Sequence, residues 1–495
     1  MRKKVAIIGA GIAGLTTGCY LQKSGFETEI FEAHTLPGGL CTSWKKGEYT
    51  IDGCLHWLMG TNPGDPVWHL WNELIDMKSL QLYNYEEFFR ITDKEGREMI
   101  AYTDIDRLQK EFREKAPEDK KIGDEFIRAV KRLGRMKMRS DKAPELYTFH
   151  DKLSETLGFI PYLDLLIKYG KLTIHDFASR CKSPLLKNFF EFSFTSEMPV
   201  LFIMMTFSWL SRKNAGYPIG GSLKFSQLFE KKYLDLGGRI NYGKKVERIL
   251  TEMTGKAGKA RGIMLASGEK IFSDIIVSCA DGYSTIYNLL EGKFADARIS
   301  HYYSNFAVFP SFFLVSLGVA KSCGNEPGRV IYPLDEPFRL DPEKTIEFLN
   351  YRVSNYDPTL APAGKTLIMC MAKTYNSQYW VDLRKNDRDK YNAEKKRIAD
   401  FYIDQLDRKL GGIKENLEMV DVSTPATLVR YTHNWKGSVE GWMVTRETGF
   451  DSLPKTLPGL EDFYMAGQWV EPGGGVPAVF FSGRNLAQII SRKYK

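Results

Sequence analysis

The chain has 495 residues, 43% of them hydrophobic and 26% charged, with a formal net charge of +8. These fractions are globular and exclude wholesale disorder or collagen-like repeats, while the length exceeds one ordinary core and predicts two or three domains. The charge permits attraction to an anionic surface without demanding it, and with no Lys/Arg-rich tail or zinc-finger spacing a nucleic-acid partner is not expected. Seven cysteines, an odd number with no CxxC pair, predict reduced thiols as in a cytoplasmic protein, with no disulfide framework and no metal site. No uninterrupted apolar run reaches the roughly 18 residues of a membrane span.

Residues Lys4–Ile8 read as a buried strand, followed by a tight Gly turn, a helix to about Ser24, and a second strand over Glu27–Glu32. That strand–helix–strand unit has the size of a right-handed parallel crossover. Pro37 to Gly60 reads as a long ligand-facing loop with short strands. From about Trp68 to Asn214 charged amphipathic helices are expected. Within 122–139, Ile122, Phe126, Val130 and Leu133 form a helical stripe, with Arg128, Lys131, Arg132, Arg135 and Arg139 largely off it. The apolar zone Phe189–Leu210 reads as a helix under or lining a cavity. Pro218–Gly221 reads as a turn and Leu223–Leu236 as a helix ended by Gly237 and Gly238. Strands are then expected at Arg239–Asn241, Lys245–Leu250, Arg261–Leu265, Lys270–Phe272 and Asp274–Cys279, the third and fourth as a hairpin. Ser304–Phe309 and Phe312–Gly318 read as strands and Asp387–Leu410 as a charged helix. A strand from Phe463, a Gly-rich turn and a helix close the chain.

Gly9-Ala10-Gly11-Ile12-Ala13-Gly14 fits GxGxxG between a strand and a helix. In that context Gly9 permits the turn, Gly11 lets a pyrophosphate approach the backbone, and Gly14 lets helix and strand pack closely. The helix N-terminus offers free N–H groups to phosphate. Glu32, at the end of the second strand, can accept from ribose hydroxyls. Pro37-Gly38-Gly39-Leu40-Cys41-Thr42 follows directly, and two adjacent glycines there let the backbone wrap a second phosphate.

With Tyr49-Thr50-Ile51-Asp52 and Gly53-Cys54-Leu55-His56-Trp57, this head resembles the FAD-dependent phytoene desaturase, carotenoid isomerase and retinol saturase superfamily, which also includes amine oxidases. Leu40 stands where that superfamily usually has Arg, and Cys54 where the FDxGxH element has Gly. The tail Tyr464-Met465-Ala466-Gly467-Gln468-Trp469, then Pro472-Gly473-Gly474-Gly475-Val476-Pro477-Ala478, resembles its C-terminal flavin motif, with Gln468 where many relatives carry Asp. Tyr217–Gly221, Ser278–Asp281, Thr424–Ser438 and Gly441-Trp442 are similar to further segments of the desaturases and saturases.

The resemblance implies an α/β fold. A discontinuous, three-layer Rossmann-type FAD-binding domain would comprise 1–75, 216–295 and 441–495, with an α+β substrate or cap domain over 76–215 and 296–440. It implies FAD contacts from Gly9, Gly11, Ile12, Ala13, Gly14, Glu32, Ala33, Gly38, Gly39, Leu40, Cys41, His56, Trp57, Val246, Ala280, Gly467, Gln468, Gly475 and Val476, with His56 as a candidate for acid–base work. The helix near Val476 would aim its positive end at the flavin and stabilise the reduced form. The implied activity is oxidoreduction or isomerisation at C=C or CH–CH bonds of a hydrophobic polyene, isoprenoid or lipid, with electrons exchanged with a diffusible donor or acceptor. The alternative is a flavin amine oxidase of the same superfamily. Apolar residues from Phe189 to Trp209 suit a lipid-like substrate, though a plain core beneath a helix explains each of them as well. The basic helix 122–139 and the apolar stretch 198–210 are candidates for peripheral contact with the inner face of a membrane.

Overall fold

The computed structural model describes residues 2–136, 141–255, 257–323, 328–449 and 452–495. Lys4–Ile8 has four buried residues in succession, the mark of a strand covered on both faces. It pairs in parallel with Glu27–Phe31 and with Ile275–Ser278. Arg239–Asn241 and Phe463–Met465 extend the sheet to five parallel strands. Segments from the beginning, middle and end of the chain thus lie side by side, with their carboxyl ends on one edge, where ligands of such sheets bind. Helix Ile12–Lys23 packs between the sheet, helix Gly221–Asp235 and the last helix, Gly475–Tyr494. A smaller sheet pairs Val246–Thr254, Ala257–Leu265 and Lys270–Phe272 antiparallel, with Leu460–Glu461 alongside.

The other half is built on a seven-stranded sheet in the order Leu417–Ser423, Ser311–Val319, Thr366–Thr374, Thr345–Val353, Val330–Arg339, Glu87–Thr92, Glu98–Tyr102. Its outer face packs on Trp380 and on the buried side of helix Arg388–Leu410, including Tyr391, Ile398, Tyr402 and Leu406. Its inner face carries Leu314 and Met369 toward Tyr49 and Ile51.

Two expected elements are corrected. Residues 87–102 form a β-hairpin, not a helix. Phe89, Ile91, Met99 and Ala101 alternate into the core, and Asp93 closes the turn by accepting from the N–H of Glu95 and Arg97 and from the Arg97 side chain. Ser304 lies in helix Ala297–Asn305, capped by Asp296, because Ile299, Tyr302 and Tyr303 pack at i, i+3 and i+4. Phe306–Phe309 makes only a single bridge, Val308 to Trp442.

The basic amphipathic helix runs Lys120–Leu133, with Phe126, Val130 and Leu133 buried; residue 139 lies outside the described residues. The apolar zone is two helices, Pro184–Glu191, capped by Ser183 with Pro184 at its first position, and Leu201–Leu210, which has no side-chain cap. Phe189, Phe190, Met204 and Phe207 are fully buried core, whereas Phe192, Phe194, Phe202, Met205 and Trp209 keep part of their surface accessible.

Candidate functional site

The glycine turn sits on the carboxyl edge of the parallel sheet. Gly9 donates its N–H to the Phe31 carbonyl (2.9 Å), and Cys279 and Ala280 pass directly behind it. Gly14 is forced by contact: a Cβ there would lie 2.0 Å from the Gly9 carbonyl oxygen. Gly38 donates to Ala10 O (2.8 Å) and bridges to Gly11, and a Cβ on Gly39 would meet only the Gly11 Cα, at 3.5 Å. The two glycine segments therefore make a narrow strip of bare backbone. The helix that opens at Ile12 has no side-chain cap, so its first N–H groups are available to an anion. Ile12 and Ala13 are buried beneath that opening.

Glu32 follows the second strand. Its two carboxylate oxygens accept from the N–H of Ala10 and of His34, both at 2.7 Å, which holds it beside the turn. Its carbonyl accepts from Lys244 N (2.8 Å), bringing buried Val246 two residues away along the chain. Ala33 is exposed.

The chain's end returns to the same place. Gly467 accepts at its carbonyl from the N–H of Val470 and Glu471 (both 3.0 Å) and donates its own N–H to Ser482 Oγ (2.9 Å), and a Cβ on it would lie 3.5 Å from Ala13 Cβ. Gly483 likewise faces the Ala13 carbonyl, 2.6 Å from where its own Cβ would be. Gly473, Gly474 and Gly475 all have left-handed φ (104°, 69° and 79°), and the helix beginning at Gly475 is also uncapped by any side chain. Val476 is buried and Gln468 half-buried, its carbonyl facing Trp442 N at 3.4 Å. Two free helix N-termini and two glycine turns thus converge at one sheet edge.

The loop between is fastened to helix Gly221–Asp235. Cys41 is buried and its thiol donates to Ser222 O (3.6 Å), its carbonyl accepts from Ser226 (2.5 Å), and Leu40 is half-buried. Asp52 is the fastening point: it accepts from the Ser222 hydroxyl, from Tyr217 (3.0 Å) and from Cys54 N (3.3 Å). Burial nevertheless pushes its carboxyl up to about 6. His56 anchors by its carbonyl to Tyr85 (2.9 Å), while its ring has no hydrogen-bond partner among the described residues. Burial, reinforced by Arg352 and Arg329, holds the ring well below its usual range and hence neutral. Trp57 lies against Trp209, ring centroids 5.9 Å apart, and both pack against two of the buried apolar clusters at once.

Sequence reading missed a row of ionisable groups inside. Glu440 lies against the last glycine turn, its Oε2 2.5 Å from where a Gly474 Cβ would be. Burial raises its carboxyl to about 7, with Lys373 pulling the other way. Lys373 donates to Thr195 Oγ1 (3.0 Å) and burial, then Arg329, lowers it to about 8. Arg329, Arg352 and His56 continue the row. These groups are surrounded by protein yet keep accessible surface, so they border an interior space. Phe202 joins that border, its ring 4.0 Å from a Cβ position on Gly473. Perturbed groups in such a place are a functional-site signal. His56 apart, none of them stands in a motif, and strand register together with loop packing, both invisible in sequence, brings them together.

Residues 7–74 match the model of an NAD(P)-binding Rossmann-like domain. Over its whole length the chain resembles a chloroplastic prolycopene isomerase of Daucus carota, 24% identical across 96% of this chain and 78% of that protein. It also resembles a 4,4'-diapophytoene desaturase of a Methylomonas species, 21% identical across 100% and 96%. Among solved structures, putrescine oxidase superposes with a TM-score of 0.60 over 99% of both chains at 12% identity. The chain is therefore a distant homologue of carotenoid desaturases and isomerases, built on the Rossmann-containing α/β fold that this oxidase also has.

Proposed function

We propose that this chain binds FAD and is an oxidoreductase or isomerase acting on C=C or CH–CH bonds of a hydrophobic polyene, isoprenoid or lipid. The observation that carries the reading is the convergence of two uncapped helix N-termini and two glycine turns, contributed by opposite ends of the chain. One nucleotide needs one such end; an extended dinucleotide with a ring system at its far side uses both. Gly9, Gly11, Gly14, Gly38 and Gly39 would hold the phosphates, Glu32 the ribose, and Gly467 and Gly475 the ring end. Bound flavin would supply hydride transfer. Phe202, Met205 and Trp209 would wall off water from the reacting carbon atoms. Residues 1–75, 216–295 and 441–495 would form the cofactor half and 76–215 with 296–440 the cap. Electrons would pass to or from a diffusible carrier.

The amine-oxidase alternative meets an electrostatic obstacle. Lys373, Arg329 and Arg352 border the same interior, and a protonated amine would enter against them. The test is an absorbance spectrum of the purified or FAD-reconstituted protein, then anaerobic titration with polyenes, enones and amines. A flavin spectrum bleached or restored by a polyene or enone is expected. A protein that takes up no flavin, or whose flavin is reduced by amines alone, overturns the reading.

We also propose peripheral contact with a membrane, through a different surface from the one expected. The 198–210 stretch is core, and Lys131 and Arg132 are paired with Asp106 and Asp164. Instead Phe149, Leu153 and Leu157 on helix Phe149–Phe159, Ile160 on the short turn Ile160–Tyr162, and Leu163 and Ile167 on helix Leu163–Tyr169 are all exposed large apolar side chains. Such a stripe is unusual on a surface facing only water. No helix among the described residues is long and apolar enough to cross a membrane. Co-sedimentation with phosphatidylcholine/phosphatidylglycerol vesicles is expected for the native chain and is expected to fall several-fold in the double variant Leu157→Glu, Ile160→Glu. Equal pelleting of both, or none of either, overturns it.

A further inference from the structure

The inner face of the seven-stranded sheet is apolar over much of its area, with Phe312, Leu314, Met369 and Met371. Lys373, opposite Phe312 and bonded to Thr195, and two arginines interrupt it. Val330 pairs with Tyr351 and Ile331 with Asn350 in antiparallel register. That register, carried one residue on, sets Arg329 opposite Arg352. Like charges directly opposite each other on a sheet face are destabilising, so this placement works against folding.

The two cations differ in how they are held. Arg329 donates to Asn350 Oδ1 (2.9 Å) and to the Phe192 carbonyl (2.8 Å), and its guanidinium lies 5.8 Å from the Phe89 ring centroid. It is fixed in place by neutral groups. Arg352 donates to no group among the described residues, and neither arginine pairs with a carboxylate there. Asp52, close enough to be felt by Arg352, is already engaged by Ser222 and Tyr217. Tyr85, whose hydroxyl burial holds protonated, stands nearby with the Tyr356 ring against it, and the His56 ring is neutral. Asp52 and the tyrosines around it hold Arg352 charged against its burial, but no described group accepts a hydrogen bond from its guanidinium. Buried donors without an acceptor are costly, and a ligand carboxylate would satisfy them.

We propose that Arg352, flanked by Arg329, binds a carboxylate at one end of an otherwise apolar substrate. The inference rests on the polyene reading above and narrows it, from a hydrocarbon to a polyenoic or isoprenoid acid. A guanidinium offers a planar fork that matches a carboxylate in two parallel hydrogen bonds. One uncommitted guanidinium suits one negative charge, whereas a diphosphate would need more free donors than this wall presents. Met369 lies directly opposite Arg352 in the strand register, and Phe202 stands beside the glycine turn at Gly473, so the substrate's apolar chain would run from the arginines past such residues to the cofactor end. The carboxylate would therefore fix how far the chain reaches, and so which bond meets the reacting centre.

The test uses the FAD-loaded protein and two ligands that differ in charge, retinoic acid and methyl retinoate, followed by quenching of tryptophan fluorescence. The acid is expected to bind about tenfold or more tightly than the ester, the size of a charge-assisted hydrogen bond. In Arg352→Met the acid is expected to fall to the level of the ester, with ester affinity unchanged as the control for folding, and Arg352→Lys to recover part of the preference. Equal binding of acid and ester, a preference that survives Arg352→Met, or farnesyl diphosphate competing better than the acid would overturn the carboxylate site while leaving the polyene reading standing. Binding of neither ligand would overturn both.

Discussion

Gly14→Ala is expected to yield a folded protein that purifies with little or no flavin and takes it up weakly on reconstitution. The added methyl would lie 2.0 Å from the Gly9 carbonyl oxygen and 3.1 Å from its carbon, both backbone atoms. Backbone cannot rotate out of the way as a side chain would, so helix Ile12–Lys23 must move off the strand, or the Gly9 turn must open. Either motion shifts the N–H groups of Ile12 and Ala13, which lie at the uncapped helix start. Overpacking of this kind costs about 1–3 kcal/mol, and if the turn absorbs it the nucleotide affinity falls by about ten- to a hundredfold. The displacement also reaches the far end of the chain, because Gly467 and Gly483 rest on Ala13 of the same helix. Flavin content per protein by absorbance, with far-UV circular dichroism to verify folding, measures the effect. Stoichiometric flavin in Gly14→Ala would show that the helix does not hold the cofactor end of the sheet together.

The parts legible in sequence are those in which local chemistry dictates geometry. GxGxxG between an apolar strand and a helix leaves one conformation, and the structure has it, with Gly9 at φ 98°. The Gly473–Gly475 run is legible for the same reason. The hairpin at 87–102 was hidden because Asp93–Arg97 supplies charge where a helix surface would have it, while the alternation of Phe89, Ile91, Met99 and Ala101 is short on either side. Ser304–Phe309 misled because aromatic and β-branched residues favour strands, whereas the packing of Tyr302 and Tyr303 on Trp442 and its neighbours decides for a helix. In the apolar zone around Phe189–Trp209 the sequence could not separate core from lining. Packing does: Phe189, Phe190, Met204 and Phe207 face the cap interior and Phe192, Phe194, Phe202, Met205 and Trp209 its edge.

The interior charges were illegible for a different reason. His56 stood out because it sits in a motif, yet its ring lacks a partner and is kept neutral by burial and by two arginines far away in sequence. Arg329, Arg352 and Lys373 each lie in or beside an ordinary strand of mixed composition, and Glu440 in a loop. Glu440 falls between two segments that resemble the desaturases without belonging to either, and nothing nearby marks the three cations. Their meeting is a property of register and of the sheet facing the glycine turns, which is tertiary information.

Glu440 is where that information makes the sharpest prediction. Its carboxyl lies at the turn that opens the last helix, with Lys373 and the Cys54 thiol among the ionisable groups that feel it. Burial raises it from 4.5 to about 7, so the folded protein holds its proton more tightly than the unfolded chain does. The stability that follows is fully present below pH 4.5, is lost as the pH rises through 7, and stays lost above, to a total of about 3 kcal/mol. Asp52 and Asp281, both pushed up to about 6 by burial, act in the same direction, so the native protein alone does not isolate the effect. The difference between native and Glu440→Gln does. In cofactor-free protein, urea unfolding is expected to show the variant gaining on the native chain between pH 4.5 and 7.5, with no relative change below. Lys373→Met removes the cation that opposes the shift, so it is expected to raise the Glu440 midpoint further and move the same window upward. In the loaded enzyme, Glu440→Gln is expected to lower kcat by about 10²–10⁴, the usual contribution of a positioned proton donor or acceptor, and to erase the limb of the pH–rate profile near 7. A pH-independent stability difference would place the Glu440 carboxyl in water, and an unchanged limb would assign the proton to another group.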